Sequence, residues 1–358
     1  MKILQVVPTL GSGGAEHFVV ELTNELCNQG HKVALLSLFD VPLDNELRLS
    51  LDERVEFYSM SKNNGLDLRL FLSIVKFIKL HSFEVVHGHV GAIKYMVLAS
   101  FVCRKVRFVA TIHSEARREA GKSVDRWSRK LMFGLNKCIP VTISKESEKS
   151  FELYYGKKAE MIENGASNYK KKKEIKLRDN EEQVVFIHPA SCQPVKNQAL
   201  LFNSFNKLID NGYNAKIVWV GGSEVFHSLF ETLKPLMQKN VVYLGIVDNV
   251  RDYMVASDAM CLSSTIEGMP MTIIEAFSVG CPVLCTPVGG CINMIKQGSN
   301  GLLSEDLTID SYYKMLESFI NMSKDKRKQM ELNALGSFSD YNISNCATRY
   351  LRVYKIHN

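Results

Sequence analysis

The chain has 358 residues, 46% of them hydrophobic and 23% charged, with a formal net charge of +6. That length exceeds what one core ordinarily fills, so two domains are expected, and the balance is that of a globular chain rather than a disordered one. No run approaches the roughly eighteen uninterrupted apolar residues of a membrane span, and the opening MKILQVVPTL reads as a strand, too short an apolar run for a signal peptide. The nine cysteines are scattered through apolar runs, which suits reduced thiols in a cytoplasm. Cys281, Cys285 and Cys291 come close together but lack zinc-site spacing.

In chain order, ILQVV (3–7) predicts a strand, followed by the glycine loop GSGGAE (11–16) and a helix closed by Gly30. VALLSLF (33–39) predicts a second strand. LRLFLSIVKFIKL (68–80) has helical period, EVVHGH (84–89) predicts strand and turn, and RFVATIH (107–113) another strand. IPVTIS (139–144) predicts a further strand, with Ser144 placed to cap the next helix. The polar stretch 169–182, with the run Lys170 to Lys173, has no apolar period and reads as a linker. The rhythm then restarts with VVFIH (184–188), a helix over 197–211, AKIVWV (215–220), VVYLG (241–245), a helix near 250–257 and AMCLSS (259–264). A helix from Pro270 to about Val279 follows, then PVLCTPVGG (282–290) and helical segments over 308–356. Buried strands alternating with helices imply parallel sheets covered on both faces. The expected division is 1–168, the linker 169–182, 183–340, and a C-terminal helix within 341–358 packing back on the first domain.

Two glutamates stand in SSTIEGMPMTIIEAFSVG (263–280). Glu267 falls in a strand-to-helix loop at the carboxyl edge of a sheet. Glu275 falls a turn into an otherwise apolar helix, where a carboxylate is costly to bury without partners. The backbone around Gly268, Met269 and Pro270 opens a helix, a natural anion site. One carboxylate beside an anion site and another a turn deeper suit a ligand with both phosphate and hydroxyl groups. Lys196, in QPVKNQ, is a cation at another strand's carboxyl edge, placed to meet a diphosphate. GSGGAE does not complete the dinucleotide fingerprint, and Asp40 is a poor candidate for its ribose acid, so a nicotinamide cofactor is not expected. Gly13 and Gly14 still allow a backbone to approach phosphate closely. His113 ends a strand, as do His87 and His89, which read as either structural or acceptor-side.

With its context, EGMPMTIIEA resembles the E-x7-E signature of the retaining glycosyltransferases of family 4. GSGGAE, HGHV, TIHSE, VTISKES, IENGAS, PVKNQALLFNSF, VVYLGIVDNV, SDAMCLSS and GCPVLCTPVGG follow as landmarks along nearly the whole chain. The resemblance implies a GT-B fold, two doubly wound Rossmann-like α/β domains facing a central cleft, the first serving the acceptor and the second the nucleotide-sugar donor. It implies catalytic positions at Glu267, His113 and Lys196. It implies donor contacts at Glu275, Gly268, Met269, Pro270, Gly13, Gly14, Ser191 and Val247, with Glu275 on the ribose hydroxyls and Lys196 on the diphosphate. No metal is expected. The sequence departs from the family at Ser191, where an arginine usually stands.

The reading is therefore a retaining hexosyltransferase. It would carry sugar from a nucleotide-diphosphate donor to a glycan or polyprenyl-diphosphate-linked acceptor, in exopolysaccharide, capsule or O-antigen assembly. A silent nucleotide-sugar-binding subunit and a GT-B epimerase are the alternatives; a phosphorylase would need a pyridoxal lysine that no stretch suggests. Arg104, Lys105, Arg107, Arg117, Arg118, Lys122, Arg126, Arg129, Lys130 and Lys137 make the first half basic. Each charge near anionic lipid contributes ~1 kcal/mol, so cytoplasmic work with peripheral contact at the inner face of the cell membrane is expected. Nucleic acid is not, since the basic residues are not interleaved with stacking aromatics.

Overall fold

The computed structural model describes residues 1–11, 13–121, 123–237, 240–247 and 249–356. Ser12 of the glycine loop, Lys122 of the basic set and Asp248 beside Val247 lie outside the described residues. The chain divides into two compact units, Met1–Ser167 with Tyr341–Asn358, and Asn168–Asp340.

The first unit is built on a seven-stranded sheet: β1 (Lys2–Val7), β2 (Lys32–Ser37), β3 (Glu56–Ser59), β4 (Val85–His89), β5 (Arg107–Ile112), β6 (Ile139–Thr142) and β7 (Glu160–Met161). All pairings are parallel, and the order is β3-β2-β1-β4-β5-β6-β7. The central strands form because their apolar runs are buried on both faces; Ile3, Leu4, Val6 and Val86 expose nothing. The helix Gly14–Asn28 buries Phe18, Val19, Leu22 and Leu26, one apolar face at three- and four-residue spacing, and Gly30 turns the chain at φ +84°. Ser144 caps the helix Lys145–Tyr155 as predicted, accepting from Ser147 N while Ser147 Oγ accepts from Ser144 N. Strands β3 and β7 are short edge pieces with little apolar signal, and the sequence reading leaves them out.

The second unit has a six-stranded sheet: β8 (Val184–Pro189), β9 (Ala215–Val220), β10 (Val241–Gly245), β11 (Ala259–Leu262), β12 (Val283–Cys285) and β13 (Gly301–Leu303). It too is parallel, in the order β10-β9-β8-β11-β12-β13. Phe186, Trp219, Cys261, Leu284, Tyr312 and Phe319 form its core without exposure. Trp219 uses its one polar atom to anchor a loop: Nε1 donates to Ala190 O at 2.7 Å, fixing the chain that leaves β8.

Residues 169–182 form no helix or strand and belong to the second unit. Asp252 holds them, accepting from Tyr169 OH at 2.7 Å and from the amides of Lys172 and Lys173. After Asp340 the chain rejoins the first unit, where Ala166 and Asn342 form a parallel bridge. The last helix, Ile343–Lys355, buries Cys346, Ala347, Tyr350, Val353 and Tyr354 there. Among the described residues no helix is long and apolar enough to cross a membrane.

Candidate active site

In each sheet the strand order reverses direction at one place, between β1 and β4 and between β8 and β11. Loops that leave neighbouring strands on opposite sides of such a point diverge and open a crevice at the carboxyl ends. Ser191 and Lys196 follow β8, Glu267 to Pro270 and Glu275 follow β11, and Gly13 and Gly14 follow β1, all at these points; His113 follows β5 and Val247 follows β10, one or more strands away.

In the second unit, β8 leads into a short turn, Pro194–Lys196, ended by Asn197 in the left-handed conformation at φ +47°. Asparagine tolerates that conformation, and the helix Gln198–Asp210 starts directly after it. β11 leads through Ser263 and Ser264 to Glu267. The two loops meet: Lys196 Nζ lies 2.7 Å from Glu267 Oε1, Ser264 Oγ donates to the same oxygen at 2.6 Å, and Ser263 Oγ donates to Lys196 O at 2.8 Å. Both charged groups are largely buried, so the contact is more than a solvated surface pair. An ammonium has three donors, so Lys196 can keep Glu267 and still turn toward an anion.

The loop after β12 seals the arrangement. Thr286 Oγ1 donates to Ser264 O at 2.6 Å, and Gly290 N donates to Gly268 O at 3.0 Å. A methyl on Gly289 would overlap the Glu267 carbonyl, and one on Gly290 the Gly268 carbonyl, so this approach needs both glycines. The next helix is Met271–Ser278 and starts one residue later than predicted: Pro270 is its N-cap, not part of its first turn. Proline has no N–H, so the amides available to an anion here come from the residues around it. Glu275 is half-buried one turn into that helix, between the buried Ile274 and Ala276.

Ser191 occupies the turn after β8, its Oγ accepting from Gln193 Nε2 at 3.0 Å and its carbonyl from Gln198 Nε2 at 3.0 Å. Val247 lies half-buried past β10, an edge strand separated from β8 by β9. It stands away from the Lys196–Glu267 pair, on the same edge of the sheet.

In the first unit, Gly13 is the exposed N-cap of the helix Gly14–Asn28. Phe18 of that helix meets His113 edge-on, ring centroids 5.8 Å apart. His113 follows β5. Its backbone N–H and that of Ser114 both donate to Glu119 Oε2, at 2.6 and 3.0 Å. Glu119 is paired with Arg129, whose other guanidinium nitrogen donates to Val90 O at 2.7 Å. Val90 adopts φ +51°, a strained conformation for a β-branched residue. Arg129 is therefore a buried clamp joining the loops after β4 and β5. This corrects its sequence reading as part of an outward basic surface: it exposes nothing, and its charge is consumed internally. Arg104, Lys105, Arg117, Arg118, Arg126, Lys130 and Lys137 are exposed, and so is Trp127.

The His113 ring reaches inward, its Nε2 3.0 Å from His89 Nδ1. Burial pushes His113 down to about 3 and holds His87 and His89 well below the usual imidazole value, so all three rings are neutral. Among the described residues no group of histidine, cysteine, aspartate or glutamate is placed to hold a metal ion. Ser263, Ser264, Thr286, Gln5, Glu119 and Arg129 escaped the sequence reading as site residues. Gln5 carried a signal, being an amide inside the apolar strand ILQVV.

Two doubly wound domains, each with a polar loop cluster at its switch point, make a fold of the GT-B kind. The chain belongs to the glycosyltransferases: residues 12–167 match Glycosyltransferase Family 4, and residues 169–335 match Glycosyl transferases group 1. It is 25% identical over 360 residues to the GalNAc-alpha-(1->4)-GalNAc-alpha-(1->3)-diNAcBac-PP-undecaprenol alpha-1,4-N-acetyl-D-galactosaminyltransferase of Campylobacter jejuni, covering 99% of this chain and 98% of that one. It is 24% identical to the UDP-Gal:alpha-D-GlcNAc-diphosphoundecaprenol alpha-1,3-galactosyltransferase of Escherichia coli, covering 90% and 87%. HepE of Anabaena, solved in complex with UDP-glucose, shares the fold with a TM-score of 0.78 at 19% identity, covering 99% of each chain.

Proposed function

We propose that this glycosyltransferase is a retaining hexosyltransferase that takes a sugar from a nucleoside-diphosphate donor to a hydroxyl of a glycan or polyprenyl-diphosphate-linked acceptor. The observation that carries the reading is the Lys196–Glu267 pair, 2.7 Å apart at the switch point of the second sheet. A cation and a carboxylate joined where a doubly wound sheet opens suit a sugar attached to a diphosphate. Two relatives named above act on diphosphoundecaprenol-linked sugars, which favours an acceptor of the same class.

In this reading Lys196 and the backbone around Gly268, Met269 and Pro270 neutralise the diphosphate. Ser191 and Val247 line the nucleotide side. Glu275 accepts from the ribose hydroxyls, and Glu267 orients the transferred sugar. In the first unit, His113 meets the sugar, and Gly13 and Gly14 approach its phosphate. The bond from the anomeric carbon to the diphosphate oxygen breaks as the acceptor oxygen bonds to the same face. The acceptor's proton passes to the leaving diphosphate oxygen. No resident metal or cofactor enters the scheme; charge stabilisation by preorganised donors carries it. The exposed basic residues with Trp127 would hold the protein at anionic lipid beside such an acceptor.

The test is transfer from a panel of nucleotide sugars to an undecaprenyl-diphosphate glycan, with the product's anomeric configuration read by NMR. An α-linked product from an α-linked donor is expected. A β-linked product rejects retention, and donor binding without turnover on every acceptor favours a silent subunit.

A further inference from the structure

Gln5 stands fully buried in the middle of β1. A buried amide needs partners for both of its ends. Its Oε1 lies 2.8 Å from His89 Nε2, and its Nε2 donates to Tyr354 OH at 3.3 Å. Tyr354, from the last helix, also lies 2.7 Å from His87 Nδ1, and His87 Nε2 lies 2.7 Å from Thr111 Oγ1. β1, β4, β5 and the C-terminal helix thus share one buried network that ends at the ring of His113.

The proton positions follow by elimination. An amide oxygen only accepts, so His89 Nε2 carries a hydrogen. A neutral imidazole has one N–H, so His89 Nδ1 accepts. Its partner at 3.0 Å, His113 Nε2, then donates, and the lone pair of His113 falls on Nδ1. Glu119 fixes the backbone of the same residue through two N–H bonds, so the ring is held from both sides.

We propose that Gln5 and His89 are positioning residues that lock His113 in its Nε2–H tautomer and present its Nδ1 lone pair to a hydroxyl of the transferred sugar. This rests on the assignment of His113 to that sugar. The network then selects hydroxyl over acceptor groups: a sugar with a hydroxyl there donates into Nδ1, and one whose group can only accept meets a second acceptor.

The experiment uses the full chain labelled with [15N]histidine, His113 being assigned by its loss in His113→Asn. Wild type is expected to show the shift pattern of a protonated Nε2 and a bare Nδ1; the reverse pattern overturns the proposal. Gln5→Met removes the acceptor. Mixed tautomers and a kcat about tenfold lower are expected, the order of one lost hydrogen bond. Gln5→Glu restores an acceptor, and both the tautomer and kcat are expected to return to within about threefold of wild type. A Gln5→Met protein that keeps the wild-type spectrum and kcat overturns the proposal. His113→Ala with undiminished transfer at limiting donor would instead overturn the sugar assignment, while the spectrum still reports whether Gln5 and His89 set the ring.

Discussion

At the scale of single residues, the site depends on Lys196 serving two partners. Its ammonium already holds Glu267, and the proposed function asks it to meet a diphosphate as well. Lys196→Ala removes that cation and leaves the Glu267 carboxylate with Ser264 as its partner. Turnover is expected to fall by at least about tenfold, the loss of one charge-assisted contact, and Lys196→Arg is expected to recover part of it. Steady-state kinetics on both variants check this, and an alanine variant with unchanged kcat and donor KM would show that the lysine only braces the loop. Much of this was legible beforehand. Glu267, Glu275 and Lys196 stood out because charged side chains at the ends of apolar strands or inside apolar helices need a reason. Ser264 and Thr286 did not stand out, since a hydroxyl at a strand end is common and its partner is known only once the loops meet.

At the scale of elements, two loops are held by side chains far from them in sequence. Arg129, on the helix Ser123–Gly134, joins the strained Val90 after β4 to Glu119 and, through it, to the backbone of His113. Arg129→Met leaves a buried carboxylate without its cation. The first unit is expected to lose about 3–5 kcal/mol, the range for breaking one side of a buried pair. Urea unfolding measures it, and a midpoint equal to wild type would mean the clamp contributes nothing. The strands and helices themselves could be read from apolar period, but this clamp could not. Arg129 sits in the charged run WSRKL, and nothing in that pattern marks one basic residue as inward while Arg126 and Lys130 face water. The late start at Met271 has a similar cause: proline suits both the N-cap and the first turn, and only the φ and ψ of Pro270 decide between them.

At the scale of the whole molecule, each unit keeps neutral histidines in its interior. Burial holds His113 at about 3, His188 at about 4, and His87 and His89 well below the ordinary 6.5. The unfolded chain takes up protons near the ordinary value, where the folded one does not. Stability is therefore full above that pH and falls as pH drops through it, by up to about 1.4 kcal/mol per ring and pH unit. Urea midpoints are expected to fall from about pH 7.5 to about pH 5, and equal midpoints would mean that these rings gain protons without opening the fold. The two-unit α/β organisation was visible from the alternating pattern and the polar break near 169–182. The β1–β4 network was not, because it needs the last helix beside the first strand. The central claim is that the second unit grips a nucleotide sugar through the acid-bearing turn and helix, and Glu275 tests it most directly. Transfer by Glu275→Ala at limiting donor is expected to drop at least about tenfold, with kcat at saturating donor little changed. A variant that transfers sugar at the wild-type rate under limiting donor would contradict the claim.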